Sequence, residues 1–493
     1  MKHAHFAIFF AAAGFCAGQT AASCEKLASL ALPQTTITTA QAVAAGNFSP
    51  PSGAALKSLP AFCRVAATLA PSKDSEIKIE VWLPASGWNG KFQAIGNGGW
   101  SGSIGYPALG RALMQGYATA GTDTGHSGGS ASFALGHPEK LIDFAYRAVH
   151  EMTVKAKAIV SAYYGDAPKF SYWNGCSSGG KQGLKEAQRF PADYDGIIAG
   201  APANYWVHLA VGGLCIAQAV HKDEASYIPA SKYPLIHKAV LEACDAIDGV
   251  KDGVIEDPTR CRFDPKVLEC KSGDSTACLT PPQVEAARKI YGPSKNPRTG
   301  QEIFPGLAPG SELGWSGLAG PQTFPVSVDH FKYVVFKDPN WDWRTFNFDT
   351  DVALADKIDD GMLSAMDPDL TAFIGHGGKL LMYHGWSDQL IAPQNTINYY
   401  RSVADSLKGS VRLFMVPGMN HCAGGDGTST FDAVSTMEQW VEQKHAPEQI
   451  LASHVTNGTP GIADRTRPLC PYPQVAHYKG TGSTDDAANF VCK

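Results

Sequence analysis

The chain of 493 residues carries a formal net charge of −5, with 44% hydrophobic and 18% charged residues. This length predicts one large domain with an insertion, or two or three domains. The negative charge argues against nucleic acid or an anionic membrane surface as the main partner. With 51 glycines and 10% aromatic residues, the composition favours a loop-rich extracellular enzyme over a disordered or fibrous protein.

The first 22 residues have the form of a secretory signal peptide. Lys2 gives a basic start, an apolar run follows at 6–13, and small residues lead to Ala22, after which we expect cleavage. The apolar run is too short to cross a bilayer, and no later segment has about 18 uninterrupted apolar residues. We therefore expect a secreted protein, extracellular or periplasmic, without a transmembrane helix.

Alternating strand and helix patterns run to residue 202 and resume at 379, which implies a mostly parallel sheet with helices on both faces. Residues 206–374 lack this alternation and are too long for a loop, so they predict an inserted domain between two parts, 23–205 and 375–493, of one α/β domain. Strands are predicted at 63–69, 77–84, 91–95, 117–123, 169–173, 194–202, from 379, and last at 411–417; helices are predicted at 138–164, 181–188, 394–407 and 431–442.

The motif at Gly175–Gly179 fits G-x-S-x-G and stands between a predicted strand and a predicted helix. This is the context of a nucleophile elbow, in which a sharp turn presents the serine at the edge of the sheet. Alone the motif is a weak pattern and also fits an ordinary Gly/Ser loop. Its flanking elements favour Ser177 as the nucleophile.

A glycine-rich loop follows the strand at 91–95 and precedes the elbow. Serine chemistry needs backbone N–H groups close to the oxyanion, and one donor comes from this position in the chain. We expect Gly98 or Gly99 to supply that donor and Ser178 to supply the other. An ordinary glycine turn is the alternative.

The acid and the base of an α/β-hydrolase follow the serine in that order, each after a late strand. Asp388 and His421 occupy those two positions. The nearest rivals are His384 and Asp426.

Two cysteines adjoin the predicted triad, Cys176 before the serine and Cys422 after the histidine. If Ser177 and His421 are in contact, these cysteines come within disulfide range. Two unrelated buried cysteines are the alternative. Of the 12 cysteines, Cys16 lies in the signal peptide, so eleven remain and one thiol is left over.

A second site is predicted in the insertion. Asp245, Asp248 and Asp252 share a short glycine-broken loop that Cys244 and Cys261 bracket. Carboxylates together with backbone carbonyls suit calcium, although the spacing is not that of an EF-hand. A solvated acidic turn is the alternative, and a calcium ion here would be structural.

Taken together, these residues resemble the tannase and feruloyl esterase family of secreted α/β-hydrolases over nearly the whole mature chain. The marks are Cys176-Ser177, Asp388, His421-Cys422 and the loop from Cys244 to Pro258. The resemblance implies an α/β-hydrolase fold with a large inserted lid, residues 206–374, that supplies most substrate contacts. It implies hydrolysis of phenolic esters such as ferulate, chlorogenate and gallate esters, with a related branch that cleaves mono(2-hydroxyethyl) terephthalate.

The same resemblance implies the remaining ligands and cross-links. Calcium would be held by Asp245, Asp248, Asp252 and the carbonyls of Val250 and Val254. Cys215 would be the odd thiol. The disulfides other than Cys176–Cys422 would be Cys24–Cys63, Cys244–Cys261, Cys270–Cys278 and Cys470–Cys492.

Substrate choice is weakly marked in the sequence. Trp315 is our candidate for the aromatic pocket, with Phe324, Phe331, Tyr333 and Phe336 as further candidates, although each also suits a lid core. A terephthalate monoester carries a carboxylate that favours an arginine, and the only Lys or Arg from 315 to 336 is Lys332.

The leading hypothesis is therefore a secreted serine esterase for small aromatic esters. The alternatives are a terephthalate monoester hydrolase, a catalytically silent calcium-stabilised binding protein, and a hydrolase of peptides or lipids. The oligomeric state stays open.

Overall fold

The computed structural model describes residues 23–455 and 463–493, so the predicted signal peptide lies outside the described residues. The strands are β1 (Thr35–Val43), β2 (Gly46–Phe48), β3 (Leu56–Leu59), β4 (Phe62–Leu69), β5 (Ile77–Pro84), β6 (Lys91–Ile95), β7 (Ala118–Thr122), β8 (Phe170–Cys176), β9 (Gly196–Gly200), β10 (Ser294–Lys295), β11 (Glu302–Phe304), β12 (Lys379–Gly385), β13 (Val411–Val416), β14 (Thr430–Phe431), β15 (Ile450–Val455), β16 (Ala463–Leu469), β17 (Ala476–Tyr478) and β18 (Phe490–Cys492). The α-helices are α1 (Tyr106–Met114), α2 (Pro138–Ile142), α3 (Ala148–Tyr164), α4 (Ser178–Arg189), α5 (Trp206–Val220), α6 (Tyr233–Cys244), α7 (Pro281–Tyr291), α8 (Ser316–Ala319), α9 (Pro325–Asp329), α10 (Thr350–Asp359), α11 (Thr371–Gly375), α12 (Pro393–Ser402) and α13 (Ala433–Gln443).

Nine strands form the central sheet in the order β1-β4-β5-β7-β6-β8-β9-β12-β13. The six strands from β7 to β13 pair in parallel, whereas β1, β4 and β5 pair antiparallel at one edge. Every residue of β7 and β9 is buried, as expected for parallel strands that helices cover on both faces. The predicted α/β-hydrolase fold is confirmed.

Successive side chains of each strand enter two different cores. Trp173 and Leu380 belong to the core shared with α3, α4 and α12, whereas Tyr172 and Leu381 belong to the core shared with α1 and α13. The sheet is thus covered on both faces, because side chains alternate along a strand. The parallel strands end at one edge, and the loops that follow β6, β8, β12 and β13 converge there.

The last clear strand pattern, at 411–417, corresponds to β13, but further strands follow it in the chain. The five short strands β14–β18 follow it and form two small antiparallel sheets. They have two to seven residues each, and β16 carries Asp464, Arg465 and Arg467. Strands of two or three residues are too short for a period-two pattern, and β16 carries charged residues in place of alternating apolar ones.

The insertion, residues 206–374, adds no strand to the central sheet. It consists of α5–α11, the hairpin β10–β11 and short 3₁₀ and π turns. Its main core includes Trp206 and Trp315 and extends to Trp100 and Phe144 of the flanking chain. Within the described ranges, no helix is long and apolar enough to cross a membrane.

Candidate active site

Ser177 stands at the turn between β8 and α4, with φ 64° and ψ −123°. A residue other than glycine is strained at this backbone conformation, and such strain is characteristic of a nucleophile elbow. The turn needs its flanking glycines, because a Cβ on Gly175 would lie 2.5 Å from the carbonyl oxygen of Gly179. The Ser177 N–H donates to the Gly200 carbonyl at 2.9 Å, which fixes the turn against β9.

Asp388 and His421 meet at the same edge of the sheet, after β12 and β13 respectively. His421 Nδ1 lies 2.7 Å from Asp388 Oδ2, and the Asp388 side chain is fully buried. With the proton on Nδ1, the ring presents Nε2 as an acceptor. The geometry is therefore that of an acid orienting a base.

Three further groups hold the Asp388 carboxylate. Its Oδ1 accepts from the N–H groups of Leu390 and Ile391 at 2.8 and 2.9 Å, and its Oδ2 also accepts from His384 Nε2 at 3.1 Å. Burial alone would raise the pKa of Asp388, but the charge of His421 and the hydrogen bonds from both histidines hold that pKa well below its usual value. Asp388 is thus kept ionised and fixed in position.

His384 and Asp426 do not take the places of base and acid. His384 is fully buried, and its Nδ1 lies 2.7 Å from Thr396 Oγ1 while Nε2 faces Asp388. Both of its ring nitrogens are engaged in hydrogen bonds, so His384 helps to fix the Asp388 carboxylate in position. Asp426 is half exposed and pairs with His237 at 3.3 Å.

The disulfide Cys176–Cys422 joins the elbow to the loop after β13 that carries His421, called the histidine loop below. It spans 246 positions, with its Cα atoms 6.0 Å apart. It brings Ser177 and His421 to the same edge of the sheet. The Ser177–His421 hydrogen bond itself is not formed in the described part of the chain, and catalytic hydrogen bonds commonly tighten only when substrate binds. The other predicted pairs are also confirmed, and Cys215 is free.

The loop after β6 lies directly against α4. Ser178 Oγ donates to the Gly99 carbonyl at 2.9 Å, and Gln182 exchanges hydrogen bonds with Asn97 at 3.0 and 3.1 Å. The N–H groups of Gly98 and Gly99 donate no hydrogen bond within the described ranges, so they are free for a ligand. The sequence did not reveal Gln182, whose role depends on the packing of this loop on α4.

Val326 of the insertion contacts the same loop. Trp100 Nε1 donates to the Val326 carbonyl at 3.1 Å, and Val326 Cγ2 would lie 3.5 Å from a Cβ on Gly99. Gln389 Oε1 accepts from the His421 N–H at 3.1 Å. Val326 and Gln389 are therefore neighbours of the site that no local sequence pattern marks.

Trp315 does not line an open pocket. Its side chain is 0% exposed, its Nε1 donates to Ser311 Oγ at 3.1 Å, and its ring packs edge-on to Tyr291. The candidate pocket residue is thus corrected to a core residue of the insertion, because its indole finds apolar neighbours and a hydrogen-bond partner there. Phe331 is likewise fully buried, whereas Phe324 is half-buried beside α9.

The predicted calcium loop is compact. Asp245 is buried and accepts from the N–H groups of Asp252 and Gly253 at 3.2 and 3.0 Å. Asp248, Asp252, Val254 and Glu256 line one small cavity. This set of hard oxygen donors fits calcium. The pairing of Arg467 with Asp252 offsets part of the negative charge.

Comparison with known proteins identifies the family. The family model described as "Tannase and feruloyl esterase" matches residues 63–493. An uncharacterized esterase of Xanthomonas campestris pv. campestris is 42% identical, over 96% of this chain and 91% of the relative.

Two solved structures are also similar. An esterase from Aspergillus oryzae has a TM-score of 0.91 at 36% identity, and feruloyl esterase B from the same organism has 0.89 at 33%. Each alignment covers 96% of this chain and 99% of the solved chain. The chain belongs to the tannase and feruloyl esterase family of carboxylic ester hydrolases.

Proposed function

We propose that this protein is a secreted serine esterase that hydrolyses carboxylic esters of phenolic acids through an acyl-enzyme. The observation that carries the proposal is the convergence of Ser177, Asp388 and His421 at one edge of the sheet, with Asp388 and His421 hydrogen-bonded at 2.7 Å. The similarity to feruloyl esterase B supports the substrate class. The five disulfides support secretion, because such bonds persist in oxidising compartments.

The proposed reaction has two halves. His421 Nε2 takes the proton of Ser177 Oγ as that oxygen attacks the ester carbonyl carbon, and it returns the proton to the leaving alcohol. Water then attacks the acyl-enzyme by the same route and releases the acid. Asp388 stabilises the protonated imidazole through both halves.

The oxyanion would be bound by the N–H of Ser178 and the N–H of Gly98 or Gly99. The first N–H belongs to the start of α4, where the helix dipole also favours negative charge. The two glycine N–H groups are not used by the described part of the chain. Donors held in place before the reaction stabilise the developing charge most strongly.

We also propose that the insertion acts as a lid over Ser177 and contributes to substrate choice. Val326 flanks the loop at Gly99, close to the place where an acyl group must lie for its oxyanion to reach the glycine N–H groups. Apolar side chains in this position suit a planar aromatic acid. The resulting site would take a small aromatic ester.

The test is hydrolysis of methyl ferulate, methyl gallate, chlorogenate and mono(2-hydroxyethyl) terephthalate at equal enzyme concentration, with Ser177→Ala as the control. We expect turnover of at least one phenolic ester by the wild type. In the variant, the rate of hydrolysis should fall by about 10⁴-fold or more. Activity on the terephthalate monoester alone would overturn the substrate class. An unchanged rate in Ser177→Ala would overturn the nucleophile.

We further propose that the loop from Asp245 to Val254 binds a structural calcium ion. Asp245, Asp248 and Asp252 would supply carboxylates, and Val250 and Val254 would supply carbonyls. Of these residues, Asp248, Asp252 and Val254 line one cavity together with Glu256. We expect chelation to lower the melting temperature and added calcium to restore it. Asp245→Asn should lose this response and Asp264→Asn, at an exposed carboxylate of the same insertion, should keep it; a response unchanged in Asp245→Asn would contradict the site.

A further inference from the structure

A second group of ligand-type side chains lies away from the active site, where α3, α4 and the loop before β9 meet. His150 offers a ring nitrogen, and Glu186 and Asp193 each offer a carboxylate oxygen. These three atoms all lie within 4.8 Å of one another. His150 Nδ1 is 2.7 Å from Asp193 Oδ2. Glu186 follows Ser177 by nine residues, or about 14 Å along the helix, so the proposed ester chemistry does not use it.

Glu186 is the member of this group that needs a partner. It is 1% exposed, and neither of its carboxylate oxygens accepts a hydrogen bond from the described part of the chain. A buried carboxylate is normally paired with a donor or bound to a metal, because losing its hydration is costly. The nearby Lys157 does not meet this need, since its Nζ contacts the backbone oxygen of Asp193.

We infer that His150, Glu186 and Asp193 form a binding site for a divalent transition-metal ion, with Zn²⁺ as the best fit. One imidazole and two carboxylates are ligands that zinc accepts, whereas calcium takes oxygen ligands and does not select histidine. Three protein ligands leave a fourth position for water.

The surroundings suit a cation in two respects. Glu186 lies in the last turn of α4, where the helix dipole favours positive charge. The side chains of His150 and Asp193 are 29% and 14% exposed, so an ion can reach the group from solvent. The charged neighbours are Lys157, whose Nζ contacts the backbone oxygen of Asp193, and Asp195, which accepts from the Ser171 N–H at 2.8 Å.

Zinc binds neutral imidazole and ionised carboxylate ligands. The bound ion would hold α3, α4 and the loop before β9 together. Its effect should therefore appear in stability and leave the rate of ester hydrolysis unchanged.

The test uses the full mature chain, stripped of metal, resupplied with calcium and then dialysed against Zn²⁺. We expect one zinc per chain and a zinc-dependent rise in melting temperature. Both His150→Ala and Glu186→Gln should weaken zinc binding by about tenfold or more. The matched control is His137→Ala, because His137 forms an exposed pair with Asp74 at 3.0 Å and should not affect zinc.

Two results would overturn the inference. Wild-type protein without stoichiometric zinc after dialysis would show that the group is not a metal site. Zinc binding that neither variant weakens would place the ion elsewhere. If Glu186→Gln fails to fold, His150→Ala at the partly exposed ligand still decides the question, and binding is measured independently of esterase activity.

Discussion

At the scale of single residues, Asp388 shows how much support one side chain receives. Two backbone N–H groups and two histidines donate to its carboxylate. His421 is thereby oriented by an acid that is itself held on every side. The strained backbone conformation of Ser177 is likewise held by its surroundings, namely the neighbouring glycines and the hydrogen bond to Gly200.

Replacing Asp388 by Asn should leave the fold intact and remove most of the activity. The amide oxygen can still accept from Leu390 and Ile391, but the amide nitrogen faces His421 Nδ1 and favours the wrong tautomer of the ring. We expect kcat to fall by about 10³–10⁴-fold with little change in KM. Steady-state kinetics together with near-ultraviolet circular dichroism test this, and a variant retaining a tenth of wild-type kcat would contradict the assigned role.

At the scale of elements, the disulfide between the end of β8 and the loop after β13 has two consequences. It constrains a long segment of the unfolded chain, and it sets the approach of Ser177 and His421 in the folded one. Chain-entropy arguments give about 5 kcal/mol as an upper figure for a loop of this length. The geometric consequence should be visible in kinetics.

The double variant Cys176→Ala/Cys422→Ala should therefore lose both stability and kcat. The matched control is Cys470→Ala/Cys492→Ala, which removes a cross-link spanning only 22 positions. It should lower the melting temperature and leave kcat near the wild-type value. Equal losses of kcat in the two variants, measured well below both melting temperatures, would contradict a specific role for Cys176–Cys422.

At the scale of the whole molecule, His237 links the insertion to the histidine loop. It extends from α6, with Nδ1 2.7 Å from buried Glu312 and Nε2 3.3 Å from Asp426. Burial alone would lower the pKa of His237, but the hydrogen bonds and charges of Asp426 and Glu312 raise it to about 9. The protonated ring thus ties residues 206–374 to the segment that carries His421.

Because the folded-state pKa of His237 is raised, its contribution to stability is complete below about pH 6.5 and is lost as the pH rises through about 9. The contribution of protonated His237 to the free energy of unfolding should be on the order of 2 kcal/mol, because solvent screens its interaction with half-exposed Asp426. Denaturant unfolding of wild type and His237→Gln between pH 6 and pH 10 measures it. The two free energies should converge at high pH, and a constant difference would contradict the linkage.

The sequence by itself determined the order of the elements that carry the candidate catalytic residues. A local motif marked Ser177, and the strand patterns before Asp388 and His421 placed them at one edge, because parallel strands end together. The neighbouring Cys176 and Cys422 added a distance constraint that the structure confirms. The predicted positions agree with the structure because each rests on residues close together in the chain or on a fixed topological rule.

Only the tertiary structure decided which side chains surround those residues. Trp315 became a core residue, His384 became a second donor to Asp388, and Val326 came to lie against Gly99. The buried carboxylate of Glu186 likewise comes near His150 and Asp193 only when α3 and the loop before β9 pack around it. These contacts join distant parts of the chain, and their energies depend on the packing and burial that folding creates, which no local pattern records.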